Sequence, residues 1–118
     1  MNPKTRYLFT AAMDVDADKE ALFNEVYDIE HVPELLKVPG CLAVHRLTLH
    51  PLKLAIGGEI KSIVFDDEPK YSAIYELESA EVLTSSAWAK AVEVGRWAGQ
   101  VRPFTKNRRH TLRKVSSG

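Results

Sequence analysis

The sequence predicts an α+β domain in the order β-α-β-β-α-β, and three observations carry that prediction. Strand-like runs recur four times (alternating over 6–14 and 70–78, apolar on both faces over 41–50, polar on both over 104–115), two stretches between them repeat at helical spacing, and Pro/Gly punctuation separates run from run. At 118 residues the chain is the size of one domain. No internal repeat or boundary divides it, so residues 1–118 are read as a single domain.

Residues 6–14 read as the first strand. Tyr7, Phe9, Ala11 and Met13 form its more apolar alternate set and are expected to face a layer of helices. Asp16 or Asp18 can cap a helix, and Leu22, Phe23, Val26 and Tyr27 follow at helical spacing. Pro33 lacks an N–H, and its ring opposes the carbonyl of Ile29. The expectation is therefore a main helix over 17–31, a break, and a short turn over 34–37 before the Pro39-Gly40 stop. Residues 41–50 read as the second strand, with Ala43, His45, Leu47 and Leu49 on one face and Leu42, Val44, Arg46 and Thr48 on the other. Phase places His45 on the helix side.

Residues 51–69 are irregular, with Pro51, Gly57-Gly58 and Pro69 as punctuation. A hairpin within 56–65 and a role as variable insertion or lid are expected there. Residues 70–78 form the third strand, with Tyr71, Ala73, Tyr75 and Leu77 on its apolar face. Ser79 is the expected cap of a second helix that turns Val82, Leu83, Ala87, Ala91 and Val94 to the core and ends at Gly95 or Gly99. Residues 104–115 close the domain as a fourth strand. This order is the ferredoxin-like one, a four-stranded antiparallel sheet with two helices on one face.

Such a sheet leaves its second face open, with Leu8, Val44 and Ile74 on it. An exposed apolar face of that size favours self-association, so a homodimer paired sheet to sheet is expected. Sixteen basic and sixteen acidic residues cancel, which points away from nucleic acid and from membrane surfaces. The basic run from Lys106 to Lys114 lies in a strand and is expected to pair with Glu76, Glu78 or the partner copy. Cys41 is the only cysteine, which fits a reducing compartment. No stretch reaches the ~20 apolar residues of a membrane span, and the N-terminal segment lacks a leader pattern. The expected location is the cytoplasm.

The stretch Tyr27-Asp28-Ile29-Glu30-His31-Val32-Pro33-Glu34-Leu35-Leu36, followed by Pro39-Gly40, resembles the first helix of the dimeric α/β-barrel superfamily, and within it the EthD-like branch. Ser86-Ala87-Trp88 and the run from Gly95-Arg96-Trp97 to Arg102-Pro103-Phe104 resemble the second helix and last loop of EthD-like proteins. The resemblance covers most of the chain; the long segment 51–69 departs from it. It implies a single EthD-like dimeric α/β-barrel domain, with His31 facing a cavity between helices and sheet. The superfamily includes cofactor-free monooxygenases, cyclases, isomerases and haem enzymes, so the resemblance leaves the reaction open.

His31 is the first candidate catalytic residue, because an imidazole exchanges protons near neutral pH. Tyr27 lies one turn before it. His45 and Tyr75 are the candidate polar groups on the opposite wall, with Phe9, Trp88, Trp97 and His110 as candidate substrate contacts. The expected ligand is a small aromatic or cyclic hydroxy or keto compound, oxygenated, cyclised or isomerised without a cofactor. The alternative is a non-catalytic dimeric ligand-binding or stress-response module. No histidine, cysteine and carboxylate spacing typical of a metal site is present, and no metal is expected. Haem held by His31, His45 or His110 is the disfavoured alternative.

Overall fold

A computed structural model describes residues 1–118. Its strands are β1 (Tyr7–Val15), β2 (Cys41–Thr48), β3 (Leu52–Ile56), β4 (Glu59–Ile63), β5 (Tyr71–Leu77) and β6 (Thr105–Lys114). Four of them form an antiparallel sheet in the order β2-β5-β1-β6, and β3 and β4 pair separately as a hairpin. The sheet order is the ferredoxin-like arrangement that the sequence predicts.

On the helix side of the sheet, Phe9 stands opposite Tyr75 and Leu112, and Ala11 opposite Ala73 and His110. The apolar sets of β1 and β5 therefore face the helices as expected, and Met13, Tyr71, Ala73, Tyr75 and Leu77 are buried there. The phase of β2 is the reverse of the expected one. The register shifts between Cys41 and Ala43, and one extra residue at a bulge turns every later side chain to the other face. Val44 and Arg46 consequently lie opposite Tyr75 and Ala73, on the helix side. Ala43, His45 and Leu47 lie on the open face with Glu76, Ile74 and Ser72. The open-face set is thus Leu8, Ile74 and Leu47, without Val44.

The first helical layer also departs from expectation. After a short 3-10 turn (Ala17–Lys19), α1 (Glu20–Val26) passes through a π-helical turn (Tyr27–His31) into α2 (Val32–Leu36) without a break at Pro33. A wide turn removes the bond that Pro33 cannot donate and relieves its ring from the preceding carbonyl. The path continues, and it buries Phe23, Val26, Tyr27, His31 and Leu35 on one side.

The second layer is more broken than a single helix. A 3-10 segment (Ala80–Thr84) precedes α3 (Ser86–Ala91). Ser85, not Ser79, supplies the cap, its Oγ accepting from the Trp88 N–H at 3.1 Å. Val82 and Ala91 are buried as expected, whereas Val94 is exposed. A turn at Gly95 (φ +75°) leads to a π-helical segment (Trp97–Val101) and a 3-10 turn (Arg102–Phe104).

The hairpin spans Leu52–Ile56 and Glu59–Ile63 and turns at Gly57-Gly58, both at positive φ. Every residue of β3 is exposed, as is all of β4 but Ile63. The hairpin stands away from the body and does not lid the helix side. It contributes to a Cα radius of gyration of 15.9 Å, against about 13–14 Å for a compact chain of this length. The basic residues of β6 pair differently from expectation too. Arg109 bridges to Asp67 and Glu68, and Lys106 to Asp16. Glu76 is held instead from its own face of the sheet.

Candidate functional site

A cavity of about 210 Å³ opens between the helical layer and the sheet. Its floor is Phe9, Ala11, Met13 and Tyr75, its walls are Tyr27, His31, Trp88 and Trp97, and Arg102 and His110 stand among its lining residues. Of the candidates from sequence, all but His45 meet here.

His31 owes its place to the π-helical turn, which carries it inward beside Tyr27. It is 5% exposed. Trp97 stacks on its ring, with centroids 4.4 Å apart and planes 24° apart. Tyr27 meets the ring edge-on at 5.0 Å. Nδ1 is buried and has no hydrogen-bond partner. Buried polar atoms are rarely left so, and neither a carbonyl latch nor a helix-end cap accounts for this one. Burial, aided by the Arg102 cation, brings the His31 pKa down to about 4. The imidazole is therefore neutral at physiological pH.

Across the cavity, the Tyr27 and Tyr75 hydroxyls hydrogen-bond to each other at 2.7 Å. Burial pushes Tyr27 up to about 12 and Tyr75 well above its ordinary value, the latter with help from neighbouring Tyr27. Both stay protonated. One proton is spent between the two oxygens, which leaves one hydroxyl proton of the pair free to donate. Arg46 lies over the Tyr27 ring at 4.6 Å and bonds to Asp28 and Asn24, so the tyrosine is held from behind.

Phe9 links the pair to the mouth. It packs against Tyr75 at 5.4 Å, Trp88 at 5.9 Å and His110 at 5.8 Å. His110 is lowered from its usual value by burial and then by Arg108. Trp97 is a wall of the cavity packed on His31, not a platform at its mouth. The small residue at the floor is Ala11; Ala43 lies on the open face.

His45 sits outside this site. On the open face its Nε2 meets Glu76 Oε2 at 2.5 Å, and Glu76 also accepts from the Thr5 hydroxyl at 2.9 Å. These partners hold Glu76 below the usual carboxylate range, His45 first among them. The site residue that the sequence reading missed is Arg102. It is anchored to Glu93 and to the Val92 carbonyl and supplies the one full cation of the cavity lining. The run from Gly95 to Phe104 carries the family resemblance, and its arginines are the signal in the sequence that points to this cation. No group of three histidine, cysteine or acidic side chains converges to hold a metal ion. No helix is long and apolar enough to cross a membrane.

No protein-family model matches the sequence, and no curated protein matches it. Solved structures do. SnoaB, a cofactor-independent oxygenase from Streptomyces nogalater, superposes with a TM-score of 0.61 at 14% identity over 97% of this chain and 96% of its own. The heme-degrader MhuD from Mycobacterium tuberculosis, solved with two hemes bound in its active site, gives 0.59 at 18% identity over 95% and 97%. An ethyl tert-butyl ether D (EthD) family protein from Bacillus halodurans gives 0.57 at 10% identity over 92% and 98%. Likeness at these identities establishes architecture and leaves chemistry open. The chain has the fold of the dimeric ferredoxin-like α/β-barrel proteins, the EthD-like ones among them.

Proposed function

We propose that this protein is a cofactor-independent enzyme acting on a small aromatic or cyclic hydroxy or keto compound, with His31 as the proton acceptor. The observation that carries this reading is the unpartnered, buried Nδ1 of a neutral histidine lining an apolar cavity. An apolar cavity of ~150 Å³ accepts benzene, so about 210 Å³ suits a single substituted ring. The spare hydroxyl proton of the Tyr27–Tyr75 pair donates to the substrate oxygen and stabilises negative charge as it forms there. The imidazole takes the proton of the substrate O–H or activated C–H, leaving a phenolate or enolate and a histidinium. That anion is the common starting point for oxygenation, cyclisation and isomerisation. Likeness in fold to a cofactor-independent oxygenase supports the reading.

Haem fits this chain's own cavity poorly. The cavity falls below the ~300–1,000 Å³ of ordinary ligand pockets, Trp97 covers one face of His31, and His45 lies on the other side of the sheet.

A second reading has one observation in its favour. A pKa near 4 makes His31 a weak base, which suits a binding module of the same fold that holds its ligand without turning it over. We also propose that two copies pair through the open sheet face, where Leu8, Ile74 and Leu47 lie. Soaking and titrating a panel of small phenols and cyclic diketones tests the site. Binding abolished in His31→Gln, with oxygen uptake or product formation in the wild type, supports the enzyme. Binding without turnover supports the module, and binding unaffected by the substitution refutes both.

A further inference from the structure

We infer that Glu30 is a positioning residue, whose carboxylate clamps the turn at Gly95-Arg96 and so holds Trp97 flat against His31. Two consecutive pairs of residues make the device. Glu30 and His31 are neighbours on the π-helical turn, and Arg96 and Trp97 are neighbours at the start of the second π-helical segment. The first member of each pair engages by charge and hydrogen bonding, and the second by stacking.

The geometry is specific. Glu30 Oε1 accepts from the Arg96 backbone N–H at 2.9 Å, and Oε2 accepts from Arg96 Nε at 2.6 Å. Arg96 Nη2 closes on the same Oε2, and Glu25 holds Nη1 from the side at 3.1 Å. Both guanidinium contacts thus converge on Oε2 while Oε1 takes the backbone N–H, so the two carboxylate oxygens hold side chain and main chain of Arg96 separately. The backbone bond matters most, because it ties the chain itself one residue before Trp97. Gly95 makes room for it. A Cβ at that position would sit 2.5 Å from Glu30 Oε1, and the residue has φ +75°, a conformation that suits glycine. The Gly-Arg-Trp sequence is therefore matched to Glu-His on the facing element.

The stack excludes water from one face of the imidazole, and desolvation is what keeps that ring neutral. Glu30 thus sets the environment of His31 without touching a ligand. The catalytic consequence rests on the role proposed for His31; the clamp itself does not.

The experiment follows the His31 ring resonances by NMR across pH in the ligand-free protein, with Trp97 fluorescence read in a Trp88→Phe background. The wild-type ring titrates near pH 4. In Glu30→Ala and in Gly95→Ala the titration moves up by a pH unit or more, toward the ordinary 6.5, and Trp97 emission shifts to the red. Glu30→Gln, which retains an acceptor for the Arg96 N–H, moves it less. An unmoved titration in these variants, with far-UV circular dichroism intact, overturns the proposal. Should Glu30→Ala and Gly95→Ala fail to fold, Glu30→Asp decides. It draws the carboxylate back by one methylene from both the Arg96 backbone N–H and the guanidinium, and an unchanged His31 titration there overturns the proposal as well. Because no ligand is present, this outcome is independent of whether phenols bind.

Discussion

Acid should destabilise this protein through His31, and the size of the effect follows from its surroundings. The folded-state pKa is about 4, whereas an unfolded chain offers about 6.5. The unfolded state therefore binds the proton more readily, and stability rises with pH between these two values. At pH 7 the contribution is complete. As pH falls from 6.5 to 4 it is lost at about 1.4 kcal/mol per unit, which totals about 3 kcal/mol. At 5% exposure little of this is relieved by solvent. His31→Phe removes the titrating group and leaves a ring that can still stack on Trp97. Urea unfolding of both proteins at half-unit steps from pH 7 to 4 isolates the difference. Depressed carboxylates such as Glu20, Glu30 and Glu76 lose their stabilising effect lower in the range, and His110 is common to both proteins, so these cancel. The wild-type curve should fall more steeply by about 3 kcal/mol in total. At pH 7 the variant should match the wild type or exceed it by about 1 kcal/mol, because an unpartnered buried nitrogen has gone. Parallel curves, or a variant weaker by more than about 2 kcal/mol at pH 7, would refute the desolvated, unpartnered histidine and favour a structural latch.

Three further outcomes are expected. Tyr75→Phe strands the Tyr27 hydroxyl in the core and should cost about 1–2 kcal/mol in urea unfolding, while also weakening phenol binding. Gly40→Ala brings a Cβ to 2.5 Å from Val82 Cγ2 at a φ of +88°. It should cost about 1–3 kcal/mol and lower the thermal midpoint, without affecting the His31 titration. Ile74→Lys places a charge in the middle of the open face. Light scattering should then show a monomer where the wild type is a dimer; a wild-type monomer at micromolar concentration refutes the sheet-to-sheet pairing.

The order of elements was legible in the sequence because strand and helix periods are local. β1 and β5 alternate without interruption, so Phe9, Ala11, Tyr75 and Leu77 could be assigned to the core face from spacing alone. His31 and Tyr27 could be placed together for the same reason, since one helical turn sets their neighbourhood. His45 could not be placed correctly. The bulge beside Cys41 depends on how β2 docks against β5, and an inserted residue leaves no mark on an apolar strand whose two faces look alike. Pro33 misled in a similar way: its local preference for a break was overridden by a wide helical turn, stabilised by burial of Tyr27, His31 and Leu35.

The chain's composition and local patterning thus determined by themselves the α+β architecture and the helix-facing sets of β1 and β5, whereas the expectation of a cavity at His31 rests on the family resemblance. Tertiary structure alone decided that Nδ1 is orphaned, that Trp97 covers the ring, that the Tyr27 and Tyr75 hydroxyls hydrogen-bond to each other, and that Arg102 lines the same cavity. Each of these depends on contacts between residues distant in sequence, and their energies arise from excluding water. Periodicity can say which side of an element is apolar. It cannot say which polar atoms will be left without water once the elements meet.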